Sequence, residues 1–131
     1  MSFPILVDLD SAVPIYAQIE KQVRALLGSG FWSPGDRLPS VREAAVRLRV
    51  NPLTVVKAYR RLQAEGLIET RPGSGVYAAK AGTAPRAARK QAVRRVLEEA
   101  LAGAAAHGLT REEVSEIFDE VLLRRGDRLR K

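Results

Sequence analysis

Two helix-start signals stand eleven residues apart, at Ser40 and Asn51, and no other feature of the chain restricts its folding as much. Ser40 and Glu43 have the S-x-x-E spacing of a capping box, in which each side chain satisfies a free backbone N–H of the other residue. Asn51 is suited to accept from the free N–H groups of a new helix, and Pro52 fits its first position, where a missing N–H costs nothing. Between the two signals lies one short amphipathic helix, with Val41, Ala44, Ala45 and Leu48 on one face, and then a joint of only Arg49 and Val50. The expected order is helix, tight turn, helix.

The flanks fit the same unit. Pro14 suits a first helical position, and apolar residues then recur at Ile15, Ile19, Val23, Leu26 and Leu27 until Gly28 and Gly30 stop the period. Pro34, Gly35 and Asp36 are turn chemistry, leaving room for at most a short strand at Arg37 and Leu38. The helix opened by Pro52 is expected to run to residue 65, with Val55, Ala58, Tyr59 and Leu62 inward and Thr54, Lys57 and Arg61 on the opposite face. Gly66 is placed to terminate it in a left-handed conformation. Residues 67–70 and 76–78 then read as two short strands around a glycine-rich tip at residues 71–75.

Residues 79–84 shift to Ala, Gly and Thr, and the sequence places a boundary there, between a domain over residues 1–78 and a linker with two helices over residues 79–131. The first of these helices is expected over residues 85–107, striped by Val93, Val96, Leu97, Ala100, Leu101 and Ala104 and ended by Gly108. Thr110 and Glu113 repeat the capping-box spacing and open the second, striped by Val114, Ile117, Phe118, Val121 and Leu122. Two helices enclose no core alone. Their stripes must meet the first domain or another chain, and a homodimer is the cheaper geometry because a two-fold interface uses one patch twice.

Composition narrows the function. Apolar residues make up 46% of the chain and aromatics only 5%, so the core is built mainly from Leu, Val, Ile and Ala, which favours helices. Twenty-two Lys and Arg against fifteen Asp and Glu give a net charge of +7. That balance attracts polyanions, with duplex DNA the commonest. The absence of cysteine excludes disulfides and thiolate metal sites. With no apolar run approaching ~20 residues, the chain reads as soluble and cytoplasmic, without a membrane partner. His107 has no second His or Cys beside it, and there is neither a Ser/His/Asp arrangement nor a Walker-type glycine loop. No metal, no cofactor and no enzymatic activity are expected. Tyr59 and Trp32 read as core aromatics rather than stacking platforms.

A helix, a tight turn, a second helix and a glycine-tipped hairpin form the order of a winged helix-turn-helix, in which the second helix of the pair enters the major groove and the hairpin reaches the adjoining backbone or minor groove. The residues themselves resemble a family. The runs LPSVRE at residues 38–43, VNPLTVVKAY at residues 50–59, EGLI at residues 65–68 and RPGSGVY at residues 71–77, in this order and at these intervals, are similar to those of the GntR family of regulators. The short C-terminal part is similar to its YtrA subfamily, whose members use two helices for dimerisation in place of a larger effector domain.

The resemblance implies a mainly α fold with a small β-wing, a winged helix-turn-helix domain followed by two C-terminal helices. It implies operator binding, usually repression, often of transporter operons. Carried over by position, it assigns DNA contacts to Arg42 at the head of the second helix, to Asn51 and Thr54 at the start of the recognition helix, and to Arg71 and Gly73 at the wing; Ser40, the cap beside Arg42, is expected to contact DNA with them. Lys57 lies one turn further along. Other members carry arginines where this chain has Pro52 and Val56, which implies different base contacts. Lys80, Arg86, Arg89, Lys90, Arg94 and Arg95 form a run without acidic residues that either extends the phosphate contact or is a solvated face. Two other functions fit the same features: a sensor whose C-terminal region binds a small-molecule effector, and a winged-helix module for protein interaction.

Overall fold

Both start signals act as caps. In the computed structural model, which describes residues 3–80, 82–126 and 129, Ser40 Oγ accepts from the Glu43 N–H at 3.0 Å and Asn51 Oδ1 accepts from the Leu53 N–H at 2.8 Å. They open α2 (Val41–Leu48) and α3 (Pro52–Ala64), preceded by α1 (Ile15–Gly28). Only half of the box at Ser40 forms. The Glu43 side chain instead lines a groove together with Arg37 and Arg47. Pro14 precedes α1 instead of entering it. Its ψ of 145° is extended, and its carbonyl accepts from Ala17 and Gln18.

Helices α2 and α3 end in the same way. Val50 N–H reaches back to Ala45 O and Arg49 N–H to Val46 O, and likewise Leu67 N–H to Leu62 O and Gly66 N–H to Gln63 O. This paired return closes the last turn and requires a left-handed residue, which is Gly66 at φ +77° after α3 and Arg49 at φ +57° after α2. Because Leu67 is used by this closure, β1 begins one residue later than its apolar pattern suggests. β1 (Ile68–Arg71) pairs antiparallel with β2 (Gly75–Ala78), Ile68 opposite Ala78 and Arg71 opposite Gly75. The short strand at Arg37 is a single bridge to Tyr77.

The inward faces converge on one core. Ile19 and Val23 of α1, Ala44, Ala45 and Leu48 of α2, Val55, Ala58, Tyr59 and Leu62 of α3, and Ile68, Val76 and Ala78 of the wing are buried, joined by Trp32 and Leu38 from the loop. Ile5 also belongs to it. The N-terminal arm is tied to α1 by two glutamines: Gln22 Oε1 accepts from Leu6 N–H and Gln18 Oε1 from Asp8 N–H, both at 2.8 Å, while each amide donates back to an arm carbonyl. The sequence pattern carries no signal for this arm, because its backbone is held by side chains and not by a repeat.

The chain divides into two compact units, residues 1–89 and 90–131. The division falls inside α4 (Arg86–Ala105), which is followed by α5 (Arg111–Arg125). The capping box that opens α5 is complete: Thr110 Oγ1 accepts from Glu113 N–H and Glu113 Oε1 from Thr110 N–H. The architecture is thus mainly α with a small β-wing, a winged helix-turn-helix followed by two helices. No helix among the described residues is long and apolar enough to cross a membrane.

Candidate nucleic-acid interface

The burial of Val55, Ala58, Tyr59 and Leu62 decides which side of α3 is left for a partner. Asn51, Pro52, Leu53, Lys57 and Arg60 are exposed, Thr54 and Val56 half-buried. Tyr59 is anchored from behind, its hydroxyl donating to Pro39 O at 2.7 Å, which ties α3 to the loop leading into α2. Burial raises the Tyr59 phenol, and nearby Glu43 raises it further, so it stays neutral and able to donate.

Lys57 and Arg61 are not simply turned to solvent, as their place opposite the core face suggests. Lys57 Nζ lies 4.0 Å from the centre of the Tyr16 ring, and the Arg61 guanidinium 5.6 Å from it. Arg61 also forms an ion pair with buried Glu20, and Arg24 holds Glu65 with a 3.0 Å contact. An aromatic ring and a carboxylate on α1 therefore draw these cations into the seam between α1 and α3. Lys57 remains exposed at the edge of that seam. Thr54, one turn earlier, is half-buried.

Arg42 stands in the first turn of α2, exposed and without a hydrogen bond or ion pair among the described residues. A cation at a helix N-terminus opposes the helix dipole, so its position gains nothing for the isolated fold. Ser40 is occupied by its cap and contributes position to Arg42 before any contact of its own. Arg49, in the turn between α2 and α3, is exposed as well.

The wing presents a different picture. Arg71 is exposed but held at both ends: its guanidinium contacts Glu69 Oε1 at 2.7 Å and stacks 4.1 Å from the centre of the Tyr77 ring. Ser74 N–H bonds Arg71 O to close the tip, and Gly73 sits at φ +73° with open space where a side chain would be. Gly75 has a stricter reason, since a Cβ there would lie 3.1 Å from Arg37 Nε. Arg37 thus crosses behind the tip, a placement that the sequence pattern did not signal because it depends on a long-range bridge.

The proposed contacts Ser40, Arg42, Asn51, Thr54, Lys57, Arg71 and Gly73 therefore all belong to the first unit, on α2, α3, their caps and the wing tip. Of the basic run, Lys80, Arg86, Lys90, Arg94 and Arg95 are exposed, while Arg89 is half-buried and donates to Ala84 O at 3.0 Å. In the second unit no side chain of α5 is buried, and α4 likewise buries none. Val93, Val96, Leu97, Ala100, Leu101, Ile117, Phe118, Val121 and Leu122 are exposed and Val114 is half-buried.

Residues 15–78, which span α1 through the wing, match the family model described as bacterial regulatory proteins, gntR family. The HTH-type transcriptional regulator YhcF of Bacillus subtilis is 38% identical over 81% of this chain and 88% of its own length. The chain belongs to the GntR family. The HTH-type transcriptional repressor YtrA of Bacillus subtilis is 51% identical, over 56% of this chain and 56% of its own length, so that match spans little more than half of YtrA. YtrA from Sulfolobus acidocaldarius, a GntR-family transcription factor, is similar in structure with a TM-score of 0.59 and 38% identity, over 76% of this chain and 99% of that one. The DNA-binding domain of AraR in complex with operator ORR3 has a TM-score of 0.51 and 25% identity, over 56% of this chain and 88% of that one. The resemblance in the motifs is thereby confirmed, and this GntR-family chain has the winged helix-turn-helix of a transcriptional regulator.

Proposed function

We propose that this GntR-family chain is a sequence-specific repressor that binds duplex DNA as a homodimer. The observation that carries the reading is Arg42: a solvent-facing cation at the head of α2, the helix that leads into α3, with no hydrogen-bond or ion-pair partner among the described residues. A convex pair of helices with a cationic rim fits the major groove, and the wing tip reaches the adjoining backbone. AraR, whose DNA-binding domain shares this fold, is seen with its operator, and YtrA is named a repressor. Asn51 and Thr54 are assigned to phosphate or base contact beside the cap, Lys57 to the edge of the same surface, and Arg71 and Gly73 to the adjoining backbone or minor groove.

The exposed apolar side chains of α4 and α5 support dimerisation, because a patch of Ile117, Phe118, Val121 and Leu122 left to water is unfavourable for a folded chain. Residues 79–131 are accordingly assigned to linker and dimerisation, and residues 1–78 to DNA binding. In a two-fold dimer, two copies of α3 enter successive major grooves about 34 Å apart, on a near-palindromic site. Gel-shift titration of a duplex selected from random sequence tests the assignment. Arg42→Ala is expected to weaken binding by about 1–3 kcal/mol where it reads a guanine edge. Unchanged affinity at equal salt would remove Arg42 from the interface.

A further inference from the structure

The front of the candidate recognition helix is apolar. Leu53, in the first turn of α3, is 72% exposed, exposed Pro52 precedes it and half-buried Val56 follows on the outward side. None of these three side chains has a donor or acceptor. The core does not require Leu53, since Val55, Ala58, Tyr59 and Leu62 supply that face of the helix. Its backbone is also tied down, because the Leu53 N–H donates to Asn51 Oδ1 at 2.8 Å. Exposed Lys57 and Arg60 follow Leu53 one and two turns further along the same face of α3, and exposed Arg42 heads the preceding helix, so the occupant of this surface is anionic at its edges and apolar at its centre.

Base edges in the major groove offer hydrogen-bonding atoms at guanine, cytosine and adenine, and one apolar group, the C5-methyl of thymine. Set against any other edge, Leu53 would strip water from donors and acceptors and return nothing. We infer that Leu53, supported by Val56, reads thymine methyl groups in each half-site, so that this protein selects thymine by apolar contact at the point where it meets the groove. This rests on the reading of the chain as a duplex-binding regulator, and it adds which base the first turn of α3 selects and by which atoms.

The test uses the full chain and a duplex enriched from random sequence. Each thymine of the enriched half-site is replaced singly by deoxyuridine, which removes only the methyl, and affinity is read by fluorescence anisotropy for the wild type and Leu53→Ala. At one or two positions the wild type is expected to bind about fourfold more weakly to the uracil duplex, the worth of one methyl-sized group removed from water. Leu53→Ala, whose exposed site leaves the melting temperature near that of the wild type, is expected to bind thymine and uracil duplexes alike at those positions. An enriched sequence with no uracil-sensitive thymine, or equal sensitivity in Leu53→Ala, overturns the inference and leaves the regulator reading standing. Failure to enrich any sequence overturns both.

Discussion

Arg49 has positive φ, alone among the described non-glycine residues, and it occupies the turn on which the helix pair depends. A side chain in the left-handed region costs about 1–2 kcal/mol, against about 0.4–1 kcal/mol that glycine would return to the unfolded chain as entropy. Arg49→Gly is therefore expected to stabilise the head by on the order of 0.5–1 kcal/mol, read as a rise in thermal midpoint. Glu20 provides a second test at this scale. Burial raises its pKa above the ordinary 4.5, outweighing the nearby cations of Arg61 and Arg24. The folded chain thus keeps this proton at pH values where the unfolded chain has lost it, so the contribution of Glu20 to stability is fully present below 4.5 and is lost as pH rises through the higher folded value. Glu20→Gln lacks this contribution, so its melting temperature relative to that of the wild type is expected to rise between about pH 4 and 7.

At the scale of elements, the end of α3 is the joint that aims the wing. Gly66 has φ +77°, and a Cβ there would stand 2.7 Å from the Cβ of Ala84, a residue of the segment that passes back over the helix end. Thr83 Oγ1 donates to Gly66 O at 3.3 Å from the same segment. Backbone strain of about 1–2 kcal/mol and overpacking of about 1–3 kcal/mol add at one position. Gly66→Ala is expected to lower stability by about 2–5 kcal/mol in denaturant unfolding. Glycine is easily read at this position as a helix terminator, but its close approach to Ala84 belongs to tertiary packing.

For the whole molecule, the proposed mode of action joins two surfaces of opposite character. The cationic head answers to phosphate, so log affinity for duplex DNA falls with log salt at about −0.9 for each phosphate neutralised. In the proposed dimer, the apolar stripes of α4 and α5 are covered by a second copy. Phe118→Asp places a charge in the proposed interface, where desolvating it is costly. Sedimentation is expected to shift from dimer toward monomer, with loss of affinity for a two-half-site duplex while the fold of the head, followed by Trp32 fluorescence, is retained. A dimer of unchanged stability would move the interface elsewhere.

Local rules were enough to determine the helices, the two caps at Ser40 and Asn51, the left-handed end at Gly66 and the glycine-tipped wing. Each depends on residues within one or two turns of one another, and the motif order carried the family with them. Three features needed tertiary structure because their partners lie on different elements of the fold. Ile5 is held in the core by glutamines of α1, Lys57 is drawn over Tyr16, and Arg71 is stacked on Tyr77. Periodicity shows which face of a helix is apolar. It cannot show which cation finds a ring or a carboxylate on a neighbouring element, because that is settled by distances that exist only after the core has closed.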